Sequence, residues 1–391
     1  MPTPEASPSP LHEAEVRSVL DALATGAPGG EAAVVEATGL PRTTVASALG
    51  VLAAAGVAVR EGRGRFRADA DAAFGLGVDV ARDRVRVALV DLTGTVRARA
   101  ERRDVKPTPV ARARAAAVLA NSCREDVETR LGPGRVVEVS SAVVAFPAVV
   151  GADRATVLHV PGYEKGGTAL HDALVDALGC PVVVDNDVNL AAVAEQHLGA
   201  GRGRSSFVTL AFGAGFGAGV VLDGRLHRGA SGIAGEVSFL PQPGHALGEQ
   251  VLGDSAIAAL AKDHDLPEDV TVRELIDRAE AGDGVAGDVV AEMARRIAVV
   301  VASLAIVLDP EAFVLADEAA RAPIHGRVAT YMRDRVGVLP ARVEASPLGA
   351  DGSVLGAARA ASEELRRRAA TAAVAGAAAP AGAGRGDGAV R

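Results

Sequence analysis

The feature that most constrains this chain is a short pattern that occurs twice. Phe74–Val80 and Arg84–Asp91 are apolar runs joined by a short turn, and Thr93-Gly94 leads into a third run at 96–102. Phe207–Phe212, the glycine-rich stretch Gly213-Ala214-Gly215-Phe216-Gly217 and the run 218–222 repeat that opening, with Asp223-Gly224 in the place of Thr93-Gly94. Apolar runs separated by short Gly-containing turns predict antiparallel hairpins. A duplicated three-strand opening implies two similar lobes, and a cleft between lobes is where a small molecule binds.

The segments around the repeat predict an α/β architecture. A helix is expected at about 109–130, a buried strand at 136–145, and a helix at about 168–178 with Leu170, Leu174 and Leu178 on one side. A short apolar strand, 181–184, then ends in Asp185-Asn186-Asp187. A three-stranded meander followed by αβαβ gives a mixed sheet with helices on both faces. The body is expected over 74–368, with a first lobe of 74–188 plus the C-terminal helix and a second lobe of 189–350. Residues 1–10 alternate Pro and Ser, and 369–391 run through Ala and Gly, so both ends are read as disordered tails.

The segment 11–70 has a different period. Val16, Val19, Leu20 and Leu23 make one buried helical stripe, 31–37 a second short helix, and Val45, Leu49 and Leu52 a third stripe. Residues 57–60 and 66–68 are expected as two strands around the turn Glu61-Gly62-Arg63-Gly64-Arg65. Three helices and a hairpin predict a winged helix-turn-helix. With the third stripe facing inward, Arg42, Thr43, Thr44 and Ser47 project outward near the helix start, which suits phosphate and base-edge contact in a major groove. The hairpin offers Arg60, Arg63 and Arg65. From Arg42 to Arg67 there are five Arg against Glu61 alone, a basic footprint of +4 inside a chain of net charge −8. A helical interaction domain with solvated arginines is the bland alternative.

Composition removes several classes. At 391 residues, 49% hydrophobic and 23% charged, the chain supports two or three folded domains. The net charge argues against indiscriminate coating of nucleic acid or membrane. Two cysteines make no disulfide scaffold. The longest apolar run, near 298–308, falls far short of the roughly 20 residues a membrane span needs. The start MPTPEASPSP has neither a basic head nor an apolar stretch, so a cytoplasmic protein without membrane contact is expected.

The cleft residues point to polar recognition. Asp187 follows a strand end, where α/β sheets place site residues, and Glu236 follows the turn region at 229–232. With Asn186, these carboxylates suit bidentate hydrogen bonds to sugar hydroxyls; surface acids and a helix-capping Asn explain them equally well. The Gly213, Gly215 and Gly217 run suits a phosphate or merely a tight hairpin.

Residues 11–368 resemble the ROK family of repressors and sugar kinases. The matching stretches are GLGVDVARDRVRVALVDLTG (75–94), PVVVDNDVNLAAVAE (181–195), FVTLAFGAGFGAGVVLDGRLHRGASGIAGE (207–236) and SPLGADGSVLGAA (346–358), with VREGRGRFRADADAAFGLGVDV (59–80) similar to the repressor branch. The resemblance implies a winged helix joined to an actin-like (ribonuclease H-like), two-lobed sugar-kinase fold. It implies that Asp187 matches the general base of the kinases, and that Asn186, Glu236 and Glu249 match sugar ligands.

Departures from the family pattern predict that kinase activity is lost. Asp79 is followed by Val80-Ala81-Arg82-Asp83 where kinases carry Gly-Gly-Thr, and Asp83 would repel a phosphate at 4 Å by about 1 to 4 kcal/mol depending on screening. Ala316-Asp317-Glu318 stands where a glycine turn meets the nucleotide ribose. The family's Glu-x-x-His reads Glu236-Val237-Ser238-Phe239, and the cysteine-rich zinc loop reads Pro241-Gln242-Pro243-Gly244-His245. Neither zinc nor ATP is therefore expected, Asp187 is a vestigial base, and Phe239 reshapes or fills part of the pocket.

Together these features predict a transcriptional regulator, acting as a repressor on double-stranded operator DNA with an inverted repeat. Its degenerate kinase body would form a homo-oligomer, dimer or tetramer, and sense a sugar or sugar phosphate. The rival readings are an active ATP-dependent sugar kinase with a regulatory DNA-binding domain, and a constitutive regulator with a collapsed cleft.

Overall fold

The computed structural model describes residues 11–26, 30–62, 64–82, 84–159, 166–212, 215–337 and 341–378. The N-terminal module comprises α1 (Glu13–Ala24), α2 (Glu31–Thr38), α3 (Arg42–Ala54) and the antiparallel pair β1 (Ala58–Glu61) and β2 (Arg65–Ala68). This is the element order of a winged helix. All the expected stripe residues are buried: Val16, Val19, Leu20 and Leu23 on α1, and Val45, Leu49 and Leu52 on α3, packed with Val34 and Phe66.

The first lobe opens with β3 (Phe74–Val80), β4 (Arg84–Asp91) and β5 (Val96–Arg103). It continues through α4 (Pro109–Leu131), β6 (Val139–Phe146), the small pair β7 (Val149–Val150) and β8 (Val157–His159), α5 (Ala169–Leu178) and β9 (Val182–Asn186). Its sheet order is β5-β4-β3-β6-β9, antiparallel through the meander and parallel at β6 and β9. After α6 (Asp187–Leu198), β10 (Phe207–Phe212), β11 (Phe216–Leu222) and β12 (Arg225–His227) repeat the meander. The helices α7 (Asp254–Asp263), α8 (Val272–Glu280) and α9 (Gly284–Leu308) follow, then β13 (Ala312–Asp317), α10 (Ala322–Arg335) and β14 (Val343–Ala345). This second sheet runs β12-β11-β10-β13-β14, the same pattern as the first. The duplication read from the turns is thus a duplication of sheets.

The last helix, α11 (Gly352–Ala378), corrects one expectation. The Ala-rich composition of 369–378 predicts a tail, yet these residues continue the helix, and Ala370 and Ala373 are buried in the same cluster as the α1 and α3 stripes. Docking against another element gives this stretch its order, which composition alone does not reveal. Arg366 of α11, 1% exposed, donates to Asp21 Oδ1 of α1 at 2.5 Å and to the Leu92 carbonyl at 3.1 Å. Thr371 adds a 2.6 Å bond to Glu13.

Close backbone approach explains two glycines in this packing. A Cβ on Gly77 of β3 would lie 2.3 Å from the Ala358 nitrogen of α11, and one on Gly356 of α11 would lie 1.7 Å from the Leu190 carbonyl oxygen of α6. A side chain at either position would push α11 off the sheet or off α6.

Candidate functional site: the interlobe cavity and the exposed face of α3

A cavity of about 470 Å³ lies between the lobes, within the range of small-molecule pockets. The β9–α6 junction supplies Asn186 and Asp187, the segment after β12 supplies Glu236, Ser238 and Phe239, and the end of β13 supplies Asp317.

Asn186 serves as a cap as well as lining the cavity. Its Oδ1 accepts from the Val188 and Asn189 amides at 2.9 and 3.0 Å, and its Nδ2 donates to the Ala148 carbonyl at 3.1 Å. One amide hydrogen is left for a ligand. Asp187 takes the Val188 amide on Oδ1 at 2.9 Å. Burial, with the charges of Asp79 and Asp317, pushes its carboxyl up to about 7. Burial likewise raises Glu236. These three residues meet in one cavity, as expected.

Glu249 does not. Its side chain is 53% exposed, accepts from the Ala246 amide at 2.9 Å and lies 3.5 Å from His245 Nδ1, so it closes its own loop. The cavity instead takes the neighbouring Gln250. Around this loop, Phe239 faces the cavity, the segment 241–249 holds no cysteine, and His245 lies 3.5 Å from Glu249.

At the end of the cleft built from the β3–β4 hairpin, Asp79 is captured. Arg86 reaches it from β4 at 2.9 Å through Nε, and Asp79 and Arg86 are directly opposite in the β3–β4 register. The same guanidinium donates to the Ala350 carbonyl at 2.6 Å, to Asp351 at 3.1 Å and to Ser353 at 3.2 Å, tying the hairpin to the start of α11. Arg82 pairs with Asp254 at 2.5 Å across the mouth. Asp317 sits at φ 51°, a left-handed conformation that costs a non-glycine residue about 1 to 3 kcal/mol. Burial and the charge of Asp79 raise its carboxyl to about 6. Asp83, Gly213 and the Arg63 of the hairpin turn lie outside the described residues.

Sequence reasoning missed a further group. Asp185, 3% exposed, is held by Arg228 at 2.6 Å from the second lobe and by Arg154 at 3.0 Å from the first. It joins the lobes one residue before Asn186. No short-range pattern marks these partners, which are distant in sequence.

In the N-terminal module, Arg42, Thr43 and Ser47 are exposed on α3, and Thr44 is half-buried. Arg42, with a side chain 80% exposed, pairs with Glu31 at 3.2 Å, a contact worth about 0–1 kcal/mol and easily exchanged. Arg60 and Arg65 are exposed on the hairpin, Arg60 5.2 Å from the centre of the Phe66 ring. The helix face and the hairpin therefore carry the expected basic and hydroxyl groups.

The ROK family profile matches residues 75–364. The chain belongs to the ROK family. A ROK family transcriptional regulator described as a homologue of the E. coli MLC protein superposes with a TM-score of 0.73 at 19% identity, covering 92% of this chain and 99% of that one. That likeness concerns the fold. The Streptomyces griseus ROK family glucokinase, solved with glucose and AMPPNP, gives 0.61 at 25% identity over 74% of this chain and 99% of its own. The body thus has the actin-like, two-lobed sugar-kinase fold of ROK proteins. In sequence, the glucokinase of Halalkalibacterium halodurans is 28% identical over 239 residues, 54% of this chain and 72% of that enzyme. The xylose repressor of Caldicellulosiruptor bescii is 25% identical over 203 residues, 45% of this chain and 49% of the repressor. Similarity therefore extends to kinases and repressors alike. Among the described residues no helix is long and apolar enough to cross a membrane.

Proposed function

We propose that this ROK protein is a DNA-binding transcriptional regulator, acting as a repressor, whose kinase-like body senses a sugar-derived effector and has lost phosphoryl transfer. The observation that carries the reading is the N-terminal module itself. Its exposed face bears Arg42, Thr43 and Ser47, and its core is continuous with α11 of the body. Base and phosphate contacts from a helix start and a wing are the way such modules read operators. One small module reaches few phosphates, so two copies on an inverted repeat are needed for tight binding. The effector would close the cleft, shift α11 against α1 and spoil the half-site spacing, a population shift between two arrangements.

Fluorescence anisotropy on the DNA upstream of the protein's own gene, at about 150 mM salt, tests this reading. Competitor-resistant binding is expected, weakened severalfold by Arg42→Ala, with a salt slope shallower by about 1 for each phosphate no longer neutralised. Binding no better than to random DNA, there and on a genomic operator library, would overturn it.

One observation favours the kinase reading: Asp187 lines the cavity and its carboxyl, raised to about 7 by burial, would suit a general base. That reading requires ATP-dependent sugar phosphorylation abolished by Asp187→Asn. The capture of Asp79 by Arg86 weighs against it, because a phosphoryl-transfer site works by electrostatic positioning.

A further inference from the structure

The charge of the cavity narrows the effector. Its lining includes Asp187, Glu236, Asp254 and Asp317 against the guanidinium groups of Arg82 and Arg112. Arg82 is taken by Asp254 at 2.5 Å. Arg112, 3% exposed, lies 5.4 Å from the centre of the Phe146 ring and donates to the Ala81 carbonyl at 3.4 Å. Asp187, Glu236 and Asp317 thus line one partly enclosed space; among the described residues no ion pair joins any of them to a cation, and only the more distant charges of Arg86 and Arg84 on Asp317 and of His159 on Glu236 offset them. A ligand phosphate would add like charge to this set. An ammonium group would add the close countercharge that none of the described residues supplies.

A second feature is independent of the acids. Ser238 is 2% exposed and lines the cavity, and among the described residues its hydroxyl has no hydrogen-bond partner. The hydroxyl oxygen opens onto the cavity rather than being sealed in the wall, so a ligand there can meet it directly. Its lone pairs accept N–H or O–H, while the one free amide hydrogen of Asn186 calls for a ligand oxygen. The wall therefore suits a ligand that combines hydroxyl oxygens with an N–H-rich cation.

Resting on the reading of the body as a sugar sensor, we propose that the cleft takes an aminohexose in its ammonium form, in preference to a neutral hexose or a hexose phosphate. Asp187 and Asp317 face the ammonium group, and Glu236, Ser238 and Asn186 meet the hydroxyls. Because burial raises the Asp187 carboxyl to about 7, it is partly protonated at pH 7, and the ammonium displaces that proton to the buffer when it binds.

Isothermal titration calorimetry of the full chain at pH 7 tests this with D-glucosamine, 6-amino-6-deoxy-D-glucose, D-glucose, N-acetyl-D-glucosamine and D-glucose 6-phosphate. At least one of the two aminohexoses is expected to bind ten times or more tighter than glucose. Its heat should vary with the buffer's ionisation enthalpy, and the acetylated and phosphorylated sugars should lose the gain. Asp317→Asn and Asp187→Asn, each checked for folding by circular dichroism, should narrow the preference to under threefold. Glucose equal to or tighter than both aminohexoses, or the phosphate tightest of all, overturns the ammonium assignment and leaves the sugar sensor standing. Binding of none of the five overturns both.

Discussion

The two ends of the cleft have diverged within one fold. At the end built from the β9–α6 junction, Asn186, Asp187 and Glu236 face open space. At the end built from the β3–β4 hairpin, the Asp79 carboxylate is locked by Arg86, and Arg82 is paired across the mouth. The same sheet pattern frames both, so topology alone does not decide what a cleft binds. Side chains at the strand ends differ, and here an arginine opposite an aspartate makes a strut.

The largest effect should come from breaking that strut. The facing side chains of Arg86 and Asp79 are 9% and 4% exposed. Removing one partner of a buried pair leaves an uncompensated charge and costs about 3 to 5 kcal/mol. Arg86→Met should therefore destabilise the chain by that amount in urea unfolding, and Asp79→Asn added to it should recover much of the loss. A single variant as stable as the parent would mean that the closed end is not structural. At the open end, Asp187→Asn should weaken sugar binding about 100-fold, the scale of a lost charged hydrogen bond, with little loss of stability.

Two carboxyls of the body respond to pH in opposite senses. The Asp187 carboxyl is raised from 3.8 to about 7, so the folded chain holds its proton where the unfolded chain has released it. The unfolded state then binds fewer protons, and this contribution to stability falls as pH rises from about 4 to about 7. Glu292, held down to about 2 by Arg295 and Arg296, acts in the opposite sense at lower pH. Comparing the parent with Asp187→Asn isolates the first effect: the variant should lose the decline between pH 5 and 7. An unchanged slope would place Asp187 in a wetter site than its neighbours imply.

Much of the open end is legible in the sequence, because it is built from contiguous residues. Asn186 and Asp187 follow a strand that its apolar run announces, and Glu236 follows a glycine turn. Glu249 falls outside the cavity because its assignment rests on resemblance in a loop whose other matching residues have changed. The strut is legible only in part. Once the β3–β4 turn is read, Val80 faces Val85 and Asp79 must face Arg86, and cross-strand pairing of opposite charges follows. The further bonds to Ala350, Asp351 and Ser353 come from the far end of the chain, and no local period foretells them. The last turns of α11 escape sequence reasoning for the same reason: their burial depends on α1, which lies more than three hundred residues away.

That helix links the two ends to the N-terminal module. It starts at the strut and reaches α1 through the Arg366–Asp21 bond. Asp21→Ala should therefore leave sugar affinity within about threefold of the parent while cutting the sugar-induced loss of operator affinity by about 1 kcal/mol, the scale of a modest coupling energy. Anisotropy with and without sugar reads both terms. Full retention of coupling would mean that the signal travels by another route.

The smallest effect is expected at the mouth, and it separates a closed end from a merely occluded one. Arg82 and Asp254 are 51% and 52% exposed, so their pair contributes about 0–1 kcal/mol despite its 2.5 Å length. Arg82→Ala should change stability and sugar affinity little. If the mouth pair alone excluded nucleotide, the variant would gain ATP binding detectable by calorimetry. No gain is expected, because opening the mouth also removes a cation and leaves Asp254 and Asp317 facing the polyphosphate. On the proposed reading, it is the charge of the walls beyond the mouth that keeps nucleotide out, and only their neutralisation should admit it.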